Sequence, residues 1–513
     1  MNLNKHKIIK HLKKGLSACM TVALLLAFAA CSGSDGVEDN YDDVLVEELE
    51  PVQLNFYAME YSSYFDNKEI DSLMKEIEMK LADTIKVKPK FHRIAYDEYN
   101  DEIKKLIASG ADIDAFMCYD IDEFEEYAKD ITDLFPKYAP NYYNELMSSK
   151  TGQESVYSSS IDGKVLSVPA NDYYYPRYFI IARKDLVERY AKNGLGTLED
   201  YGEFLKNVKE NEPGLIPGAV SSHIFFDSYI KGNGYYDYNS SVYFTWESEG
   251  KELYLMENTG EFIEAYSMLT DWRKKEYAPK DPLTYYSPPY ISKGLVASML
   301  IDIEGVRYAN IGVTSDYEYK MYPLYMAQPH ILSPRGWGVA VASNSKNAER
   351  VLMFLEWLHK SQENYDLFRY GIKDRHYGLQ GENIVFDEGM TDIVYWNYVT
   401  NFFSDYRYER TSFIDTADYR EAIKEAGLNN IKTFREVFGE IGQGQKDEED
   451  SKKLDVEWQT LSPIVNKYNS NMSKFFENID KGLMNITPEK LKEMQEEAGI
   501  DKVLEYYKNI LQR

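Results

Sequence analysis

The chain reads as an α/β protein of more than one domain, closed by a helical C-terminal region. Three observations predict this. Near the start, three apolar strand-like runs alternate with two amphipathic helical runs. About 460 of the 513 residues follow an acidic N-terminal segment, too many for a single hydrophobic core. From about Tyr395 the pattern turns mostly helical, with one charged, glycine-bearing interruption, GEIGQGQKDEEDSKK, read as a loop.

The N-terminal 30 residues read as a secretory signal. MNLNKHKIIKHLKKGLSACM carries five lysines and no acid, and the apolar MTVALLLAFAAC ends in small residues. Phe28-Ala29-Ala30-Cys31 resembles a bacterial lipobox, which implies that Cys31 is lipidated, as with palmitate, and opens the mature chain. The competing reading is an uncleaved anchor, but the apolar stretch is well short of the roughly 20 residues a span needs. Residues 31–51 hold eight acids and no base from Asp35 to Glu50, the composition of a solvated tether.

Removing residues 1–30 takes five lysines and no acid from totals of 58 basic and 85 acidic residues, leaving a net charge of −32. That balance excludes nucleic acid as a partner, because phosphate binding needs a basic footprint. With Cys31 lipidated, Cys118 has no partner for a disulfide, and IDAFMCY places it as a small buried hydrophobe. There is no CxxC or HExxH and only seven histidines, so no dedicated metal site or cofactor is expected.

VQLNFYAM (Val52–Met59) alternates as a strand. EIDSLMKEIEMKLADT spaces Ile70, Leu73, Met74, Ile77 and Leu81 along one helix face. IKVKPKFHRI is a second strand, YNDEIKKLIASGAD a helix closed at Gly110, and IDAFMCY a third strand. This order implies a parallel sheet with crossover helices, whose ligands gather at the carboxyl ends of the strands. Further on, GKVLSVPA and RYFIIARKDLVERYA read as strands flanking PANDYYYPRY. GTLEDYGEFLKNVKENEPG is a helix capped by Thr197 with Asp200 three residues on. EFIEAYSMLTDWRKKEYA is a helix, KGLVASMLIDIEG feeds a strand, and GWGVAVASNSKNAERVLMFLEWLHK is strand, polar loop and helix. Trp357 lies at helical spacing from Met353 and Phe354, on a core face.

PANDYYYPRY (Pro169–Tyr178) crowds four tyrosines with Asn171, Asp172 and Arg177 around Pro176. Buried, so many polar groups would each need a partner. The chain carries 45 tyrosines against 23 phenylalanines, a bias towards aromatic surface that stays wet.

An ordered set of segments now gives a resemblance. DITDLFPKYAPNYYNEL, DGKVLSVPAND, FIIARKDLVERY, LGTLEDYGEFLKNVKENEPGLIP, SKGLVASMLIDIEG and GWGVAVASNSKNAERVLMFLEWLHKSQENYDLFRYGIKDRHYGL follow one another behind the lipobox. Together they resemble the extracellular solute-binding lipoproteins of bacterial ABC importers, in the carbohydrate-binding group related to maltose-binding proteins. The resemblance implies a two-lobed, periplasmic-binding-protein-like α/β fold with an extended helical C-terminal region. Lobe 1 would comprise residues 52–170 and 306–388, and lobe 2 residues 171–305 and 389–513. It further implies a non-enzymatic monomer, lipid-anchored on the extracellular face of the cell membrane, that needs no cofactor. A carbohydrate, an oligosaccharide in particular, would be held in the cleft and passed to the membrane permease.

Sugars offer C–H patches to aromatic faces and hydroxyls to polar side chains. Tyr61 and Tyr64, after the first strand, are ligand candidates, with packing at a helix start as the alternative. Tyr119 and Asp120 follow the third strand, and Asp120 also suits a helix cap. Asn171, Asp172, Tyr173, Tyr174 and Tyr175 sit at the expected crossing between lobes, where turn chemistry competes for the first two. Glu304 lies where maltose-binding relatives carry a stacking aromatic, which is missing here. Trp337, set between glycines, is placed in the cleft or hinge. Arg375 and Tyr377, in DRHYG, resemble a family hallmark, and His376 beside them is read as structural. Two other readings share these features: an almost wholly helical outer-membrane lipoprotein that captures glycans for a β-barrel transporter, and a secreted glycoside hydrolase.

Overall fold

β1 (Val52–Glu60) places Leu54, Phe56 and Ala58 on one buried face, the two-residue period of a strand. α1 (Asn67–Ala82) buries Leu73, Ile77 and Leu81 in a single stripe. β2 (Val87–Ala95), α2 (Tyr99–Ala108) and β3 (Ala115–Cys118) follow. Gly110, at φ 74°, takes the left-handed turn after α2. Next come β4 (Ser167–Pro169), β5 (Tyr178–Arg183) and α3 (Leu198–Asn211). Thr197 caps α3, its hydroxyl accepting from the Asp200 amide at 3.1 Å. Then follow β6 (Ala219–Val220), α4 (Ser222–Gly232), α5 (Gly260–Lys274), β7 (Ser298–Asp302) and β8 (Tyr319–Pro323). β9 (Gly338–Val341), α6 (Ala348–His359), α7 (Gln362–Tyr370), β10 (Tyr377–Gln380), β11 (Asn383–Phe386) and α8 (Thr391–Val399) come next. The chain closes with α9 (Thr416–Leu428), α10 (Glu448–Asp480), α11 (Pro488–Ala498) and α12 (Asp501–Leu511).

This is a computed structural model, and it describes residues 49–60, 67–171, 178–239, 242–245, 248, 252–302, 315–325, 330–332, 337–412, 414–428, 431–433, 436–437 and 448–511. Within the unit Pro51–Arg513 two sheets carry separate cores. The first runs β2-β1-β3-β9-β4. β1 pairs parallel with β2 and β3, and β9 lies antiparallel to both β3 and β4. The expected parallel β-α-β-α-β start is therefore present, which overturns the almost wholly helical alternative. Phe56 stacks on Phe91 at 4.9 Å and meets Phe354 of α6 at 5.1 Å, so helices seal this sheet from the far side. Trp357 is buried in the same core. The second sheet runs β8-β5-β7-β6, with β5 antiparallel to β7 and β8. α10 buries Leu461, Val465, Tyr468, Met472, Phe475 and Ile479 in that lobe's core, a helical three-and-four spacing.

Three features depart from the sequence reading. β8 pairs with β5, so residues 319–323, expected in the return of lobe 1, lie in the second sheet. Residues of α8 and the following turn, Ile393, Trp396, Phe402 and Phe403, lie in the first core, although 389 onward was expected in lobe 2. Both differences have one cause: apolar faces were legible, but the core each face joins was not. Third, residues 404–411 form an irregular strap with a single turn at 406–408 rather than a continuous helix. Asp405, Glu409 and Arg410 bond partners on α6 and α7, which pins the segment against those helices. Among the described residues no helix is long and apolar enough to cross a membrane.

Candidate functional site

The pairing directions bring the carboxyl ends of β1, β2, β3 and β4 to one edge of the first sheet, together with the amino end of β9. Register sets Glu60 opposite Ala95, and Gly338 opposite both Cys118 and Pro169. The residues next along each strand therefore form a row. Tyr96 and Tyr119 are 6.2 Å apart, Tyr119 and Trp337 5.5 Å, and Trp337 stacks on Phe402 at 5.4 Å with 15° between planes. Tyr96 is 51% exposed, Tyr119 and Trp337 are half-buried, and Phe402 is buried behind them. Gly338 makes the row possible. A Cβ there would lie 2.2 Å from the Val168 carbonyl oxygen, so only glycine lets β9 and β4 approach beside Trp337.

The crossing segments leave from the same edge. Asn171, just past β4, donates its amide to Ser404 and accepts from the Tyr406 amide, both at 3.0 Å. Its side chain donates to Asp405 Oδ1 at 3.0 Å. Asp405 is fully buried and also accepts from His359 Nδ1 at 3.2 Å and Arg407 Nη2 at 2.6 Å. His359 lies flat on Tyr142, 3.8 Å away, and Tyr142 donates to the Pro169 carbonyl at 2.8 Å. Burial would raise the Asp405 pKa, but the bonds from His359 and Arg407 outweigh it and hold the carboxyl below the usual range. Burial lowers that of His359, against the pull of Asp405.

On the second sheet, Tyr178 opens β5 opposite Asp302, the last residue of β7. The Tyr178 phenol donates to Asp227 of α4. Lys231 donates to Asp227 at 2.9 Å and to Tyr178 at 3.3 Å, and lies 2.6 Å from Asp237. Burial works against the Lys231 charge, yet the two carboxylates leave its pKa raised. At the mouth of β6, Asp480 from the end of α10 accepts from the Ser222 amide at 3.0 Å and from Arg273 Nη2 at 2.7 Å.

The candidates read from sequence divide accordingly. Tyr119 and Trp337 stand together in the row. Asp120 is exposed beside them and caps the following turn, accepting from the Asp122 amide at 3.1 Å. Asn171 is buried at the crossing and bonded to Asp405. Arg375 is 3.0 Å from Glu69 at the start of α1. His376 accepts from the Ile372 amide at Nδ1, which leaves Nε2 to donate to Glu69 at 2.9 Å. Tyr377 is buried, its ring 6.3 Å from Tyr370 and away from the row. Tyr61, Tyr64, Asp172, Tyr173, Tyr174, Tyr175, Glu304 and Cys31 lie outside the described residues. Sequence reasoning missed Tyr96, Phe402, the Tyr178–Lys231 cluster and the strap. The run NFFSDYRYER, dense in aromatic and charged residues without a helical apolar stripe, was the available signal that this stretch is not a regular helix. Among the described residues no group of acidic, histidine or cysteine side chains could hold a metal ion.

No curated protein matches the chain. Solved structures do match. The N-glycan transport solute binding protein NgtS of Streptococcus pneumoniae is 16% identical with a TM-score of 0.59, over 90% of this chain and 100% of that one. A solute binding protein of Bifidobacterium longum infantis, described as binding HMO and associated with an ABC transporter, is 11% identical with a TM-score of 0.54, over 90% and 98%. These likenesses show the two-lobed fold. The profile of the family described as bacterial extracellular solute-binding protein matches residues 69–364. That span takes in the second sheet, the first sheet apart from β1, and the crossing at Asn171, and the chain belongs to the bacterial extracellular solute-binding proteins.

Proposed function

We propose that the protein captures a carbohydrate between its two lobes and delivers it to the permease of an ABC importer, held at the extracellular face of the membrane by a lipid on Cys31. The observation that carries this reading is the row Tyr96–Tyr119–Trp337 along one sheet edge. Aromatic rings in succession suit the C–H patches of successive sugar rings, and here the planes turn by 76° and then 60° from ring to ring. The ring centres lie 6.2 Å and then 5.5 Å apart, so the row is longer than a single sugar ring. That length suits an oligosaccharide better than one ring. The NgtS structures with Man1GlcNAc and Man5GlcNAc point the same way. Tyr61, Tyr64, Asp172, Tyr173–Tyr175 and Glu304, which follow β1, β4 and β7 in sequence, are the proposed hydroxyl partners and walls. Asp120 and Arg375 stand at the margin. Tyr377, being buried, serves the core instead, and Asn171 serves the crossing.

Ligand would select the closed arrangement because only there does it touch both lobes, and the chain's part is binding rather than catalysis. Calorimetry against a panel of neutral oligosaccharides, mannosyl-N-acetylglucosamine included, tests this. Binding is expected, with a rise in Tm corresponding to about 2.7 kcal/mol at a hundredfold excess over Kd. Trp337→Ala should weaken it roughly tenfold or more, about 1.4 kcal/mol. Absence of heat and of any Tm shift across the panel would remove the proposal.

A further inference from the structure

Helix α9 belongs to one lobe by packing and to the other by hydrogen bonding. Ile414, which leads into it, bridges Tyr319 of β8, and Tyr419 is buried with Phe179, Met299 and Met321 on the second sheet. Asp418 pairs with Lys320 of β8 at 2.8 Å. The first turn of α9 faces the other way. The Thr416 amide donates to Asn383 Oδ1 at 2.9 Å, and Asn383 Nδ2 donates to the Ile414 carbonyl at 2.7 Å. Arg420 spreads over three elements of the first lobe. Its Nε donates to the Glu409 carbonyl at 2.9 Å, Nη1 to Glu382 Oε2 at 3.2 Å, and Nη2 to Gln362 Oε1 at 2.9 Å and the Tyr408 carbonyl at 3.1 Å. Those acceptors are themselves anchored. Glu409 is bonded by Tyr365, Tyr370 and Arg369 of α7, and Ile384 beside the Asn383 turn is in the first core.

We propose that α9 is a strut that sets the angle between the lobes, with Arg420 as the positioning residue on its first-lobe side and the Asp418–Lys320 pair on its second-lobe side. This rests on the reading that the lobes move about their crossings, and it names what governs that movement. A rotation must either break the Arg420 bonds or drag α9 across the β8 face that buries Tyr419. The planar guanidinium reaches carbonyls and a carboxylate at fixed angles, which a lysine cannot imitate. The Asp418–Lys320 pair is half-buried at the surface and weak alone. It acts by keeping the helix in register on β8.

The test is the distance distribution between spin labels at Lys75→Cys on α1 and Glu210→Cys on α3, both exposed. It is measured by pulsed electron resonance without sugar, in a Cys19→Ser, Cys31→Ser background with Cys118 left buried. Arg420→Met should broaden or shift the distribution, and Asp418→Asn should change it in the same sense. Combining the two should add little beyond the larger single effect, since either cut frees the strut. Should Arg420→Met fail to fold, Arg420→Lys reads the same quantity, with an intermediate broadening expected. An unchanged distribution in an Arg420 variant that only melts earlier would reduce the residue to local support and overturn the proposal. So would a native distribution in Asp418→Asn alongside a broadened one in Arg420→Met. Because no sugar is present, the outcome is independent of whether the ligand is a carbohydrate.

Discussion

His359 and Asp405 show how single side chains hold the crossing. The imidazole is enclosed by Tyr142, Asp405 and Tyr365, and burial lowers its pKa below the ordinary value. The unfolded chain therefore binds the proton more readily. Stability rises with pH in the window below about 6.5 and is lost as pH falls through it. His376 shifts in the same direction, also through burial. Asp405, held low, adds stability that is lost only in stronger acid. The Tm of the native protein should drop between pH 7 and pH 5, and His359→Gln should flatten part of that slope. Identical slopes would mean that His359 is not held neutral. Of the residues at the crossing the sequence flagged only Asn171, as a ligand contact or a turn residue. Its side chain meets Asp405 from 234 positions away, a distance over which no local pattern reports.

At the scale of elements, β9 joins the core to the aromatic row. GWGVAV was legible both as a strand and as a close backbone approach, and the structure supplies the partner, β4. Gly338→Ala would press a methyl group onto the Val168 carbonyl and, at 2.9 Å, the Pro169 Cα. The expected loss is about 1–3 kcal/mol in urea unfolding, with glycan affinity falling as Trp337 shifts. A variant of native stability would show that β4 yields freely. Helices were equally legible: α1, α3 and α6 follow their apolar spacing, and Thr197 caps α3 as its sequence suggests. The strap at 404–411 escaped because side chains from distant helices, not local propensity, hold it in place.

For the whole molecule, the C-terminal helices complete the second lobe. α10 fills its core, and its last residue, Asp480, closes the junction of β6 and α4. There it meets Arg273, whose side chain is 2% exposed. Asp480→Ala leaves that guanidinium without its carboxylate, and removal of one partner from such a buried pair costs about 3–5 kcal/mol. Chemical denaturation should show that loss, and hydrogen exchange should rise first at the start of α4. A change under 1 kcal/mol would mean that the Val220, Ala278 and Pro279 carbonyls, which also accept from Arg273, suffice by themselves.

The sequence by itself determined most strands and helices, the parallel start of the first sheet, the acidic character of the chain and the edge at which the carboxyl ends of its first strands gather. All of these are written in local periodicity and composition. Only the tertiary structure decided that β8 joins the second sheet, that α8 joins the first core, that Asn171 serves the crossing and that Tyr96 and Phe402 extend the row. The reason is physical. An apolar face specifies that it will be buried but not against what, and a buried polar group finds its partner through strand register and chain crossing, which no short stretch of sequence encodes.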